Sequence, residues 1–119
     1  MFFNLNDIYL NLQNSQKIYF MLRIINATWG YKGYFIDVAD ILRKKIDSKF
    51  NLKINLDKAT LGDPCLFVKE LNVVYDYGGT KHQILVQEHH DGTRTLKINR
   101  GIATTNTRPQ RLLKISGLV

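Results

Sequence analysis

At 119 residues the chain has room for one hydrophobic core, with at most an arm attached. Its 45% hydrophobic and 23% charged residues are those of a folded domain, and 2 Pro with 8 Gly exclude collagen-like and linker-like classes. The 17 Lys and Arg against 10 Asp and Glu give a net charge of +7, while a single Cys excludes an internal disulfide.

Residues 1–20 read as an N-terminal extension, a hairpin in which Ile8, Leu10 and Leu12 alternate before a polar turn at Gln13–Gln16. Asp7 and the lack of a basic cluster before it do not suit a signal peptide. The longest apolar run, Ile18–Ile25, is interrupted by Arg23 and falls short of the roughly 18 residues of a spanning helix. No membrane partner is expected, and the chain is read as soluble and intracellular, or virion-associated if viral. A core domain then spans residues 21–98. It opens with a strand over Met21–Thr28, ended by Gly30 and Gly33. Asp37 is placed to cap a helix, with Asp40 in its first turn and Ile41, Leu42 and Ile46 at helical spacing. That helix, of about ten residues, should end near Lys49 and carries Arg43, Lys44 and Lys45 on its other face.

Phe50, Leu52, Ile54 and Leu56 alternate with polar residues as a half-buried strand does. Lys69–Tyr77 alternates in the same way. Gly78-Gly79-Thr80 turns it back into Lys81–Glu88, and His90-Asp91-Gly92-Thr93 turns again into Arg94–Ile98, which predicts a three-stranded meander. Residues 99–119 read as a basic arm: Gly101–Arg108 is polar and turn-prone, and Arg111–Ile115 is suited to a strand. The expected fold is mainly β, a small antiparallel β-sandwich or barrel with one short α-helix.

Residues 24–98 resemble a domain of unknown function that occurs at the C-terminus of a mitochondrial J-domain protein and as an accessory domain elsewhere. The residues that carry the resemblance are Ala27-Thr28-Trp29-Gly30, Gly33, Asp37-Val38-Ala39-Asp40, Leu61-Gly62-Asp63-Pro64, Lys69, Leu71, Val73, Tyr75, Gly79, Val86, Glu88 and Leu96. Ala39 stands where the family has Thr, and Cys65–Val68 is more apolar than the family's turn. The resemblance implies a small β-rich module with no known catalysis. It says nothing of nucleic acid.

Candidate chemistry is sparse. Ser15, Ser48 and Ser116 sit in no nucleophile elbow, and Cys65 reads as a structural thiol. His82, His89 and His90 invite a metal, but on a strand His89 and His90 would point to opposite faces. Asp37, Asp40 and Asp63 are accounted for by capping and turns, and Gly78-Gly79 lacks the following helix of a phosphate loop. Trp29 reads as a core anchor. Neither an enzymatic function nor a cofactor is expected.

The uneven charge is the functional signal. Residues 92–119 hold Arg94, Lys97, Arg100, Arg108, Arg111 and Lys114 with no Asp or Glu, whereas residues 1–91 carry a net +1. Such a segment gains by meeting phosphates, because each neutralised phosphate releases condensed counterions. The expected function is sequence-independent nucleic-acid binding, with DNA the expected partner, through those six cations, aided by Arg43, Lys44 and Lys45. A packaging or coating role suits a short basic chain whose composition resembles that of proteins of large DNA viruses. The alternative is an assembly module in which residues 1–20 and 110–119 pair between copies of the chain.

Overall fold

The computed structural model describes residues 20–106, together with the backbone of residues 113–115. Its first strand, β1 (Arg23–Tyr31), turns at Lys32-Gly33 into the short β2 (Tyr34–Asp37). Helix α1 (Ala39–Lys45) and strand β3 (Leu52–Asn55) follow, then a single helical turn, α2 (Lys58–Leu61). The long hairpin of β4 (Glu70–Tyr77) and β5 (Thr80–Gln87) comes next. A second hairpin, β6 (Thr95–Asn99) and β7 (Ile102–Thr105), precedes β8 (Leu113–Ile115).

The strands form two antiparallel sheets. The larger runs β2-β1-β4-β5, with β8 added along β5, and the smaller runs β3-β6-β7. Neither closes into a barrel; the arrangement is that of a small sandwich. The alternation read from the sequence is what makes two layers possible, because it gives each strand one apolar face. Trp29, Leu71, Val73, Tyr75 and Ile84 from the large sheet share one core with Leu52, Ile54, Leu96 and Ile98 from the small one. Leu42 of α1 and Leu61 of α2 complete it.

Two side chains tie these layers together. The indole N–H of Trp29, itself fully buried, donates to the Gly62 carbonyl at 2.9 Å and fastens β1 to the end of α2. The Tyr75 hydroxyl donates to the Gly101 carbonyl at 2.7 Å, linking the centre of the large sheet to the β6–β7 turn. Burial pushes that hydroxyl up to about 12, so it remains a donor at any physiological pH. A side chain at Gly101 would sit 2.5 Å from the Tyr77 ring, so only glycine lets the turn lie this close.

Several expectations are corrected. The predicted meander is a hairpin only as far as Gln87: β6 leaves the large sheet and pairs with β3, Leu52 opposite Ile98 and Ile54 opposite Leu96. Alternation fixes which face of a strand is apolar but not which strand lies beside it, and residues 88–94 make a connection too long for a tight hairpin. The strand placed over Met21–Thr28 begins later and runs on through Gly30. Gly101–Arg108, read as a polar turn, holds β7, whose Ala103 packs against the core. Helix α1 is shorter than expected and its N-cap is Val38 rather than Asp37, with no side-chain cap bond; Asp37 Oδ1 accepts from the Ala39 amide at 2.9 Å from one residue further out. A second helix, α2, was not expected. Asp57 caps it by accepting from the Thr60 amide at 2.7 Å. The hairpin expected over residues 1–20 lies outside the described residues, Phe20 excepted.

Candidate nucleic-acid interface

The small sheet has one face in the core and one in solvent. Its solvent face is built from the residues that alternate with the buried ones, polar but for Ile102: Lys53 and Asn55 of β3, Thr95, Lys97 and Asn99 of β6, and Ile102 and Thr104 of β7. Lys53 and Lys97 are register partners, and both are exposed. Thr104 stands on the other side of Lys97. Ile46 bridges Leu52, which sets Lys45, one residue before the bridge, beside Lys53, one residue after it. Lys53 and Lys97 thus lie side by side on the sheet, with exposed Lys45 at the end of α1 next to them in the chain path. Its three strands contain no Asp or Glu.

Like charges directly across two strands cost roughly 0.2–1 kcal/mol rather than stabilise. Folding therefore gains nothing from placing Lys53 opposite Lys97. Arg100 marks the end of this face. It occupies the first position of the two-residue β6–β7 turn at φ +50°, a left-handed conformation that a non-glycine residue adopts at a cost of about 1 kcal/mol. Its amide donates to Asn51 Oδ1 at 3.0 Å, and its side chain is exposed.

Of the nine cations expected to contact phosphate, the structure places Lys97 on this face, Arg100 in the turn at its end and Lys45 at the end of α1 beside it. Lys44 is exposed on α1. Two others are committed to the fold. Arg43 Nε and Nη2 both donate to the Ile24 carbonyl, at 3.2 and 2.8 Å, and Nη1 to Asp40 at 2.8 Å, which clamps α1 to β1. Arg94 Nη1 donates to the Gln87 carbonyl at 2.8 Å, across the crossover between the sheets. Arg108 and Arg111 lie outside the described residues, and of Lys114 only the backbone is described, opposite Ile84. Residues 113–115, expected to be available for pairing between chains, lie along β5 of their own chain. Lys53 was missed, although its place in the alternating row Phe50–Leu56 already put it on a polar face.

Arg43→Gln is expected to lower stability by about 1–2 kcal/mol, through loss of charge-assisted bonds. The same change should leave the salt dependence of polyanion binding unaltered. Urea denaturation and a salt titration on one sample check both halves.

A second polar cluster lies where the chain crosses between sheets. Lys69 is buried, with Nζ 2.9 Å from Asp63 Oδ1 and 3.6 Å from Glu88 Oε1. Glu88 also accepts from the Lys69 amide at 2.8 Å. Burial works against the Lys69 charge, but the hydrogen bond to Asp63 and the nearby Glu88 outweigh it, and its pKa lies above the usual 10.5. The Lys69 bond holds the Asp63 carboxyl below its usual 3.8. Beside this clamp is an open cleft of about 590 Å³, lined in part by Asp57, Phe67, Lys69, His89 and Asp91. His89 and His90 do not point apart as expected: β5 has ended, and their rings lie 4.2 Å from centroid to centroid. Asp91 accepts from the Thr93 hydroxyl and the Thr93 amide, and pairs with His89 Nδ1 at 2.6 Å, which together hold its carboxyl at about 2. These bonds frame a turn. Among the described residues no three His, Cys, Asp or Glu side chains converge as a metal site, and Cys65 is half-buried in the loop rather than in the core.

The clamp sets a pH window. Asp63 and Asp91, with lowered folded values, contribute fully above about pH 4 and lose their contribution as pH falls through those values. Lys69, with a raised value, contributes fully below 10.5 and loses it as pH rises through its folded value. Tyr75, an acid whose folded value is raised, also loses its contribution as pH rises above its usual 10, so thermal melts from pH 2 to 12 are expected to be flat between about pH 4 and 10, and Asp63→Asn should lower the plateau and flatten the acid limb.

Comparison with protein-family models, with curated proteins and with solved structures yields no match. No helix among the described residues is long and apolar enough to cross a membrane.

Proposed function

We propose that this chain is a non-catalytic binding protein for nucleic acid, DNA foremost, gripping phosphates without reading sequence. The observation that carries the reading is the Lys53–Lys97 pair: two exposed cations held side by side on a sheet face whose strands contain no carboxylate. Nearby like charges are tolerated when their place is to meet a polyanion, whose phosphates relieve the repulsion and release counterions. Asn and Thr side chains on the same face add uncharged donors to phosphate oxygens. The acid-free run of residues 92–119 adds further cations in sequence, Arg108, Arg111 and Lys114 among them. A coating or packaging role follows from contacts that ignore base identity.

The test is fluorescence anisotropy with a labelled duplex across a salt series, for the intact chain and for one in which Lys53, Lys97, Arg100, Arg108, Arg111 and Lys114 are Gln. Binding with a log–log salt slope of about −4 to −5, shrinking sharply in the variant, supports the reading. No affinity at low salt, or affinity indifferent to the six changes, overturns it.

A further inference from the structure

The edge of the large sheet opposite β8 is apolar, and no described residue covers it. All four residues of β2 are exposed, and three are large and apolar: Tyr34, Phe35 and Ile36. Edge strands are ordinarily blunted by Lys, Pro or a bulge, because an unpaired ladder invites another strand. Here the one charge is Asp37 at the strand's end. The loop Leu66–Val68 adds to the same end of the molecule: Leu66 is 99% exposed, Phe67 57% and Val68 42%. The Phe67 ring lies 5.8 Å from that of Tyr31, which stands opposite Tyr34, and Ile36 Cδ1 lies against Gly62. Of nine large apolar residues exposed among the described residues, six fall in these two segments. Such clustering marks a contact surface.

We propose that β2 pairs antiparallel with β2 of a second copy of this chain, about a two-fold axis at Phe35, so that two large sheets become one. Three features select a second copy. The first is backbone direction. The two-residue turn Lys32-Gly33, with φ +44° and +85°, makes Tyr31 and Tyr34 its hydrogen-bonded pair. Alternation then turns the amide and carbonyl of Phe35 away from β1, where the same two groups of a second Phe35 satisfy them. The second is charge. In this register Gly33 faces Asp37 of the second copy, which sets Lys32 of one chain beside Asp37 of the other. Both are exposed. Tyr34–Ile36 and Leu66–Val68 carry no charge, so this surface brings no like charges of its own into the contact of two chains of +7. The third is area. Phe35 stands on one face of the edge and Tyr34 and Ile36 on the other, beside Leu66–Val68; at roughly 200 Å² per large side chain the six leave on the order of 700 Å² open to solvent, an upper limit on what they bury that reaches toward the ~800 Å² per partner of a standard interface.

Sedimentation of the full chain between 1 and 100 µM is expected to show a species of twice 13.8 kDa. Phe35→Lys, which places a like charge on the axis, should weaken dimerisation at least 100-fold and leave a monomer. Hydrogen exchange needs no variant: the Phe35 amide of the unaltered chain should become protected as concentration rises. A dimer that persists in Phe35→Lys overturns the proposal, since the contact then lies elsewhere. So does a monomer at 100 µM, whether its Phe35 amide exchanges freely or is protected at every concentration by residues 1–19 or 107–119 of the same chain.

Discussion

Exchanging Lys53 and Lys97 together for Gln is expected to reduce the log–log salt slope of duplex binding by about 1.8, or 0.9 for each phosphate no longer neutralised. Affinity at 50 mM salt should fall on the order of tenfold, equally for unrelated sequences, because phosphate contacts carry no base information. Stability should move the other way. The two lysines face each other across β3 and β6, so removing both charges is expected to raise the unfolding free energy by about 0.5 kcal/mol. Weaker binding with a higher melting temperature separates a grip from a damaged fold. An unchanged salt slope would leave the pair without the role assigned to it.

Gly30→Ala is expected to produce the largest loss of stability, about 4 kcal/mol, combining backbone strain with overpacking. Gly30 has φ +152°, and a Cβ there would lie 1.9 Å from the Tyr34 carbonyl oxygen and 2.8 Å from the Phe35 Cα. Those atoms belong to backbone, so no side chain can move aside to make room. The β1–β2 pairing must open. Gly33→Ala is the control: its φ is +85°, but nothing lies within 4 Å of the added carbon, and a loss of about 1 kcal/mol is expected from conformation alone. Urea denaturation of the two variants measures the difference. Gly30→Ala should also abolish self-association, since β2 would no longer present a straight edge.

The fold was largely legible in the sequence because period-two alternation marks the inner face of a strand. Leu71, Val73 and Tyr75 are all buried as their row requires, and so are Leu52 and Ile54. What alternation cannot convey is neighbourhood. Leu96 and Ile98 would fit equally well against β5, and their pairing with β3 depends on the crossover at residues 88–94. Thr104, Thr105 and Asn106 resemble a turn in composition, yet the Arg100-Gly101 turn folds the first two back along β6. Four residues of α2 are too few to show a helical period. The candidate face followed the same rule: Lys97 was visible as a charge, but its partner Lys53 emerges only once β3 and β6 are side by side.

Several of the Trp, Gly, Asp, Lys and Glu positions singled out in the sequence acquire a physical explanation in the structure. Trp29 bonds to Gly62, Asp63 pairs with Lys69, and Lys69 with Glu88, so motifs scattered along the chain form one connected brace. The spacing in sequence reflects contacts in space. Asp37 holds the start of α1 nearby in the chain, and Gly30 admits β2 against β1.

The pairing of Leu52 with Ile98 has a kinetic consequence. The β1–β2 and β4–β5 hairpins close over two-residue turns, whereas β3 must wait for β6, which is made after the entire β4–β5 hairpin. Closing a long loop carries an entropic cost that local hairpins avoid, so the small sheet is expected to assemble late in folding. A nascent chain that stops short of residue 95 therefore carries Lys45 and Lys53 but no sheet to align them with Lys97. The cationic face exists only once β6 has joined β3, and a growing chain that has not reached residue 95 passes through synthesis without it.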